Sequence, residues 1–228
     1  MAMQDRAIRT RRKILSAAAE VFESRGYRSA TISEVLRTAG VTKGALYFHF
    51  QSKEDLAQGV LSAQDQVVSL PERASKVQEL VDVVMLHAHR LQTDSMVRAG
   101  VRLTMDQTSD GLDRRGPFLK WGSLAGRLLE DARKQGELLP HVEPQETADV
   151  LTGAFAGVQS MSHALTDYAD LMQRSCALLR HILPSVVTPS LITALDLSET
   201  RGSRVFAEVQ ASLAEVAERA EMAEVAVH

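Results

Sequence analysis

The sequence predicts an all-α protein, and three observations carry that prediction. Apolar residues recur at spacings of three and four in several long segments, as at Ile14, Ala18 and Val21. Alternating apolar and polar runs between hairpin turn signals are missing from the sequence. Every proline stands where a helix could begin or end, namely at Pro71, Pro117, Pro140, Pro144, Pro184 and Pro189.

The composition is that of a globular chain with a large core. Hydrophobic residues make up 45% of the 228 residues, which argues against wholesale disorder. No apolar run reaches the roughly 18 residues that cross a bilayer, so we expect no membrane partner. The basic N-terminus is not followed by the apolar segment of a secretory signal, and we therefore expect a cytoplasmic protein.

Cysteine and histidine usage argues against a metal site. Cys176 is the only cysteine, which excludes an intramolecular disulfide and a cysteine-built zinc site. His87 and His89 are two residues apart, so on a helix they point about 200° apart, whereas paired helical ligands prefer spacings of three or four. We interpret them as a core and a surface histidine and expect no metal and no cofactor.

Charge is distributed unevenly along the chain, although the net charge is only −3. The first fifty residues hold nine Lys/Arg and four Asp/Glu, a balance of +5, and the rest has a balance of −8. A basic N-terminal fifth of the chain, followed by an acidic remainder, is expected if only the N-terminal part binds phosphate groups. A solvated helix face explains the same asymmetry, and charge alone leaves both interpretations open.

Local signals predict the first two helices. A helix is expected over about 6–25, with Gly26 as its C-terminal stop. Thr31 and Glu34 form a capping box that opens a second helix, which Gly40 ends. A third helix over about 43–49 follows Thr42, and a fourth over about 53–68 follows the box formed by Ser52 and Asp55.

The second and third helices are short and are joined by a glycine-containing turn, which is the helix-turn-helix arrangement. In it the N-terminal residues of the second of these helices meet base edges, and helix N-termini take up phosphate oxygens. The same spacing fits a three-helix packing unit without a partner. On the first interpretation, DNA contacts are expected from Arg9, Thr31, Ser33, Thr42, Lys43, Gly44, Ala45, Tyr47, His49 and Lys53.

The N-terminal motifs, taken together, resemble the signature of the tetracycline-repressor (TetR) family over about residues 10–60. The matching segments are 17–22 (AAAEVF), 26–27 (GY), 31–35 (TISEV), 39–41 (AGV), 43–50 (KGALYFHF) and 53–56 (KEDL). The resemblance implies a helix-turn-helix DNA-binding domain, which we place at 1–52, and a helical ligand-binding and dimerisation domain at 53–228. It also implies a homodimer on double-stranded operator DNA.

Further segments are similar to the γ-butyrolactone autoregulator receptors. They are 41–55, 98–103 (RAGVRL), 111–118 (GLDRRGPF) with Trp121, and 194–198 (ALDLS). This resemblance implies a repressor of secondary-metabolite genes that leaves DNA when a small apolar lactone-like signal binds. Related pseudo-receptors sense other molecules, so a repressor that responds to an antibiotic or another apolar metabolite stays open as an alternative.

A lactone with an alkyl tail needs a mostly apolar pocket with a few polar anchors. Trp121 is the only tryptophan, and the receptors place a tryptophan at the matching position against the ligand, so the resemblance makes it the principal candidate. Its large flat ring with one N–H donor suits that task. The other candidates are Gln64, Gln159 and Ser162 as anchors and Val83, Leu86, Met105, Phe155 and Val158 as walls.

The remaining chain is predicted as helices over about 73–93, 95–107, 117–135, 145–165, 168–183 and 203–222, with loops at 107–116 and 183–203. An enzyme is the rival from another class. The sequence has no G-x-S-x-G motif and no phosphate-binding glycine loop, and Cys176 with His181 has no third partner. We therefore expect a protein that is not an enzyme.

Overall fold

The computed structural model describes residues 2–64, 70–106, 112 and 114–226, apart from the side chains of 2–5, 64, 217, 220, 221 and 223–226. Within these residues the regular structure is helical, and one isolated bridge joins Leu138 to Val187. The prediction of an all-α protein is confirmed.

The helix boundaries lie close to those predicted from the sequence. They are α1 (Ala2–Ser29), α2 (Ile32–Ala39), α3 (Lys43–His49), α4 (Lys53–Gln64), α5 (Lys76–Thr93), α6 (Ser95–Met105), α7 (Arg115–Lys134), α8 (Pro144–Thr166), α9 (Leu171–Ile182), α10 (Pro189–Ile192) and α11 (Arg201–Ala226), with a 3₁₀ turn at Leu183–Ser185.

Two local differences from the expected boundaries have simple causes. The predicted loop at 183–203 contains the 3₁₀ turn and α10, which are too short for an apolar periodicity to reveal. α7 begins at Arg115, two residues before Pro117, because proline is tolerated in the first turn of a helix. Most of the predicted loop at 107–116 and the predicted end of the fourth helix beyond Gln64 lie outside the described residues.

The chain divides into two compact units, of which the first comprises Met1–Gln66 and Thr93–Leu119. Its core is built on α1, whose residues Ile14, Ala18 and Phe22 are buried together with side chains of α2, α3, α4 and α6. α4 approaches α1 closely at Gly59, where a Cβ would come within 2.9 Å of Leu15 and Phe50 side-chain atoms. A larger residue there would require the Leu15 or Phe50 side chain to shift within the packed core.

Hydrogen bonds at the helix ends of the first unit agree with the sequence signals. The Thr31 hydroxyl accepts from the Glu34 amide at 3.2 Å and the Glu34 carboxylate accepts from the Thr31 amide at 3.0 Å, so the capping box is complete. Gly40 closes α2 with φ 58°, and Gly26 interrupts α1 with φ 74°. Both conformations lie in the left-handed region that favours glycine.

The second unit comprises Val67–Gln92 and Lys120–His228. Its core cluster takes buried apolar side chains from α5, α7, α8 and α9 and from the segments that follow α7 and α9. A separate cluster joins Leu86 of α5 to Val205 and Val209 of α11. Two different faces of α5 are therefore buried in two different clusters.

Asp82 of α5 carries the most deeply buried carboxylate described in the second unit, with 1% of its side chain exposed. Its Oδ1 accepts from Gln78 at 2.9 Å and from the Arg201 Nε at 2.7 Å, and its Oδ2 accepts from Arg73 at 2.7 Å and from the Arg201 Nη2 at 2.5 Å. All four bonds are needed to compensate the charge for its lost hydration. They tie α11 and the segment before α5 to α5.

The start of α11 contacts α5 at backbone distance. A Cβ on Gly202 would lie 2.3 Å from the Met85 carbonyl oxygen and 2.9 Å from the His89 Cβ. Glycine is required here because of this close approach rather than because of its backbone angles. The contact and the Asp82 ion pairs fix the same pair of helices.

We expect Asp82→Ala to lower the free energy of unfolding by about 3–5 kcal/mol, since two arginine side chains would lose their buried partner. The measurement is urea denaturation followed by circular dichroism. Asp131→Ala is the matched control, because Asp131 pairs with Lys134 on an exposed helix face and its loss should leave the midpoint nearly unchanged. Equal midpoints for the two variants would contradict this description of the second unit.

Candidate functional site

α3 is anchored from one side and exposed on the other. Leu46 is fully buried, and Phe50, which follows the helix, is 1% exposed. Lys43 and Gly44 are exposed, and the exposed fraction is 43% for Tyr47 and 78% for Phe48. The helix therefore presents a surface of one lysine, one glycine and two aromatic rings to the outside of the first unit.

The N-terminus of α3 differs electrostatically from those of its neighbours. Thr42 caps it by accepting from the Ala45 amide at 3.2 Å, and no acidic residue stands in its first turn. In α2 the Glu34 carboxylate already accepts from the Thr31 amide at the helix start, and α4 has Glu54 and Asp55 in its first turn. Because a helix N-terminus attracts anions, α3 is the one of these three helices whose start is not already balanced by a carboxylate.

Basic side chains flank the start of α3. The Lys43 ammonium lies 5.8 Å from the centre of the Tyr47 ring, one turn further along the helix. Lys13 of α1 reaches the turn before α3, with its Nζ 3.7 Å from the position of a Cβ on Gly40. Two cationic groups thus stand beside an uncompensated helix N-terminus, which favours a polyanion at this surface.

Lys53 and Thr31, both predicted DNA contacts, also make bonds within the first unit. The Lys53 ammonium donates to the Arg28 carbonyl oxygen at 3.2 Å and lies 4.6 Å from the centre of the Tyr27 ring. An ammonium has three donors, so Lys53 keeps capacity for a phosphate. The Thr31 hydroxyl donates to the Glu34 carboxylate at 2.9 Å, and its proton is therefore already engaged.

Tyr27 adds a second tie between α1 and α4. Its hydroxyl donates to Glu54 at 3.0 Å, and burial together with this carboxylate raises the pKa of Tyr27 to about 12. Hydrogen bonds from the Glu54 amide, from Ser52 and from Tyr27 hold the pKa of Glu54 below its ordinary value. The hydrogen bond joins α1 to the first turn of α4.

Three aromatic rings meet in the second unit. The centre of the His87 ring lies 4.8 Å from that of Trp121 and 5.7 Å from that of Phe155. These residues belong to α5, α7 and α8, and each keeps part of its surface accessible. We call His87, Trp121 and Phe155 the aromatic cluster; it is a flat apolar wall with polar ring nitrogens at its edge.

Burial and the positive charge of Arg90 lower the pKa of His87 from 6.5 to about 4, with burial as the larger cause. The imidazole is therefore neutral at physiological pH. A neutral ring carries one donor and one acceptor nitrogen. The sequence interpretation of His87 as a core histidine did not anticipate the two rings beside it.

The two polar ligand contacts predicted on α8 differ in whether they already make hydrogen bonds within the protein. The Ser162 hydroxyl donates to Asp170 at 2.6 Å, so it is already used within the unit. Gln159 is 7% exposed, and its Oε1 has no hydrogen-bond partner among the described residues. Gln159 is thus the anchor with unused hydrogen-bonding capacity.

The other predicted ligand contacts are scattered. Leu86 belongs to the cluster with α11, whereas Val83 is buried one turn before His87 on α5. Val158 is partly buried beside Gln159 on α8. Met105 belongs to the first unit and is 41% exposed, and the side chain of Gln64 lies outside those described.

Known proteins are similar to this chain both in the helix-turn-helix and over most of its length. The family model of bacterial regulatory proteins, tetR family, matches residues 14–60. The chain is 42% identical over 192 residues to the A-factor receptor protein of Streptomyces griseus, covering 84% of this chain and 69% of that one. The chain belongs to the TetR family.

Two crystal structures are similar over most of the chain. One is full-length TylP, a TetR regulator from Streptomyces fradiae, with a TM-score of 0.82 and 43% identity over 90% of this chain and 99% of that one. The other is a γ-butyrolactone receptor described as ArpA-like, with a TM-score of 0.67 and 30% identity over 89% and 99% of the two chains. The resemblances seen in the sequence are confirmed, and so is the expectation that this TetR-family chain is a regulator and not an enzyme.

Two further observations concern other kinds of site. No helix in the described part of this TetR-family chain has both the length and the apolar character needed to cross a membrane. Among the same residues, no three His, Cys, Asp or Glu side chains are grouped so that they could hold a metal ion.

Phe48 is the surface residue that sequence reasoning missed. It lies on the exposed side of α3 in this TetR-family head, with its ring centre 5.0 Å from that of His49 in an edge-to-face contact. Its signal in the sequence was position: Phe48 is two residues from the buried Leu46, which on a helix places it on a different face. An exposed phenylalanine on such a helix can contact a thymine methyl group.

We expect Phe48→Ala to weaken binding to the operator by roughly 5- to 30-fold, because the apolar contact that we expect this ring to make with a thymine methyl group is lost. The fold should be unaffected, since the ring is mostly exposed. The measurement is fluorescence anisotropy with a labelled operator duplex. Met222→Ala, an exposed apolar change on α11, is the control and should bind as the wild type does. A Phe48→Ala protein that keeps full affinity would exclude this ring from the interface.

The lowered pKa of His87 predicts a pH-dependent stability. Between pH 6.5 and about 4 the unfolded chain binds a proton at His87 that the folded chain does not, so folding stability falls as the pH falls through this window. His87→Gln should remove up to about 3 kcal/mol of that loss. Urea unfolding of both proteins at pH 7 and pH 4.5 measures the difference. Identical pH slopes would show that His87 is solvated.

Proposed function

We propose that this TetR-family regulator is a cytoplasmic homodimeric repressor that binds operator DNA through α3 and is released when a small γ-butyrolactone-like molecule binds at the aromatic cluster. The genes under its control are proposed to be those of secondary metabolism. The observation that carries the proposal is the exposed face of α3 beside a cationic, carboxylate-free helix start.

The proposed DNA contact is supported by the separation of α3 into a buried and an exposed face. Leu46 faces the core, so Lys43, Gly44 and Tyr47 are left on the outer side. Lys43 can donate to guanine O6 and N7 or to a phosphate, and Gly44 allows the backbone to approach the duplex. Arg9 and Ser33, which are also exposed, are placed to add backbone contacts.

The ligand class is supported by the chemistry of the aromatic cluster. Trp121 and Phe155 offer flat apolar surface, and His87 and Gln159 offer neutral polar groups. This combination suits a small molecule that is mostly apolar with one or two polar atoms. The similarity to the A-factor receptor and to a γ-butyrolactone receptor points to the same class of ligand.

A homodimer is supported by an exposed apolar stripe on α8. Val150, Met161 and Leu165 are between 53% and 66% exposed, and they follow one another at helical spacings. Gly153 and Gly157 lie between them, and a Cβ at either glycine would meet nothing within 4 Å. A second helix can therefore approach α8 closely along this stripe, and burying it would remove exposed apolar surface from water.

Release of DNA requires two states of the dimer. Two half-sites on one face of B-DNA are about 34 Å apart, so the dimer holds the operator only when its two α3 helices match that separation. A ligand shifts the balance only if it binds the non-matching state more tightly. We therefore assign the ligand a preference for the state that does not fit DNA.

We expect Lys43→Ala combined with Tyr47→Ala to weaken operator binding by at least about 30-fold, since one cationic contact and one phosphate or base contact are lost. The operator is taken from upstream of the gene itself, and binding is measured by gel shift with sizing chromatography as the check on dimerisation. The control is Lys120→Ala with Leu119→Ala, exposed positions of α7. Unchanged affinity of the α3 variant would refute α3 as the DNA-reading helix.

Ligand binding is expected to change the emission of Trp121, the only tryptophan. Addition of a synthetic γ-butyrolactone with a hexyl side chain should shift or quench this emission and release the operator over the same concentration range. Retention of DNA at a saturating concentration would contradict induction by lactones. Release by a panel of antibiotics instead would favour the alternative effector class.

A further inference from the structure

The first unit contains a groove that is lined by none of the residues of α3. It has a volume of about 500 Å³ and lies between α1 from Ile8 to Leu15, α4 from Gly59 to Ala63, and Met96 at the start of α6. All of these residues belong to the first compact unit. We call this space the α1–α4 groove. Its volume is within the range of small-molecule sites, which is roughly 300–1,000 Å³.

Four residues of α1 line the groove, and they follow one another at helical spacings. They are Ile8, Arg11, Arg12 and Leu15, which the spacing places on one face of the helix. Leu15 is 5% exposed, whereas Arg11 and Arg12 are exposed. α1 therefore contributes an apolar base with two guanidinium groups at its rim.

The opposite wall has small side chains. Gly59, Ser62 and Ala63 lie on one face of α4, and the partly buried Met96 adds apolar surface from α6. α1 and α4 are in contact at Gly59, because a Cβ there would come within 2.9 Å of a Leu15 side-chain atom. The Ser62 hydroxyl already donates to the Gln58 carbonyl oxygen at 2.8 Å. This wall therefore offers mainly apolar contact to a molecule in the groove.

The two arginines of the groove have no anionic partner among the described residues. The Arg11 guanidinium carbon lies 5.1 Å from the centre of the Phe50 ring, and Phe50 is 1% exposed, so a buried ring helps to hold this guanidinium in place. None of the residues that line the groove is acidic. An anion in the groove would thus meet two cations and no competing carboxylate.

Arg11 and Arg12 are separate from the cationic surface beside α3. Lys13 belongs to that surface, since its Nζ lies 3.7 Å from the position of a Cβ on Gly40. Arg11 and Arg12 precede Lys13 by two residues and one residue, so on the helix they lie about 200° and 100° away from it. Their groove also has an apolar base, which a DNA backbone does not need, because phosphates are bound by polar donors.

We propose that the α1–α4 groove binds a small amphipathic carboxylate, with its alkyl chain along the apolar base and its carboxylate on Arg11 and Arg12. A guanidinium group binds a carboxylate through two parallel hydrogen bonds, and an apolar lining removes the alkyl chain from water. The site is independent of the lactone proposed for the aromatic cluster, because it lies in the other unit and requires a negatively charged ligand.

The first test is calorimetry of the full chain with octanoate and with octanamide, a neutral probe of nearly the same shape. The wild type is expected to bind octanoate about fivefold or more tightly than octanamide. In Arg11→Gln combined with Arg12→Gln this preference should fall to within about twofold. Arg6→Gln combined with Arg9→Gln is the matched control, because it removes the same charge from exposed positions of α1 outside the groove and should keep the preference.

The second test locates the bound probe. A decanoate analogue with a diazirine on its terminal carbon is cross-linked by light, and the labelled peptides are identified by mass spectrometry. Labels are expected in peptides that contain residues 8–15, 59–63 or Met96, and excess octanoate should suppress them more than excess octanamide does. Thermal unfolding checks each variant. Arg12→Gln alone, which leaves the contact of Arg11 with Phe50 in place, replaces the double variant if that protein is not folded.

The proposal is overturned if octanoate does not bind, if octanamide binds as tightly, or if the double variant keeps the preference. Labelling confined to peptides of the second unit overturns it too, because the carboxylate would then occupy the aromatic cluster or its surroundings. If the double variant loses operator affinity while octanoate binding is unchanged, the two arginines serve DNA and not a carboxylate. None of these results bears on release of the operator by a lactone, which is measured separately.

Discussion

Burial of Leu46 is the constraint on which the DNA-binding surface depends. α3 has only seven residues, which is far too short for a stable helix in isolation. It persists because Thr42 caps its start and Leu46 and Phe50 are held in the core of the first unit. Because those two side chains are buried, Lys43, Tyr47 and Phe48 lie on the solvent-exposed side of the helix. The packing that stabilises α3 therefore also determines which of its faces is exposed.

In the second unit, α5 contributes both to stability and to the proposed ligand site. Asp82 and Leu86 face α11, and the Met85 carbonyl oxygen lies against Gly202, whereas His87 faces the rings of α7 and α8. Because the side of α5 that meets α11 is locked by buried charges, it offers little freedom to move. We therefore expect a ligand on the aromatic cluster to displace α7 and α8 relative to α5 and to leave the α5–α11 contact intact.

Local interactions made much of this fold predictable. The capping box at Thr31, the turn at Gly40 and the cap at Thr42 each involve residues within four positions of one another, and all were confirmed. The all-α class followed from periodicity for the same reason. Short elements such as α10 carry no such signal, because four residues cannot show a repeat.

Contacts between distant segments could not be predicted in the same way. Leu86 and His87 are adjacent in sequence, yet one lies against α11 and the other against Trp121 and Phe155, since consecutive residues on a helix differ by about 100°. Sequence reasoning assigned Leu86 to the ligand wall and His87 to the core for lack of any information about these neighbours. Phe48 was absent from the predicted DNA contacts, because its exposure follows from the burial of Leu46 and Phe50 in the core.

On the proposed function, α3 is the part of the chain that enters the DNA groove. Hydrogen–deuterium exchange of the intact protein, with and without its operator duplex, tests this most directly. We expect exchange to slow in the peptide containing residues 42–49 when operator is added, and a duplex of unrelated sequence to protect this peptide less. Protection elsewhere in the chain, with residues 42–49 exchanging as fast as in the free protein, would contradict it.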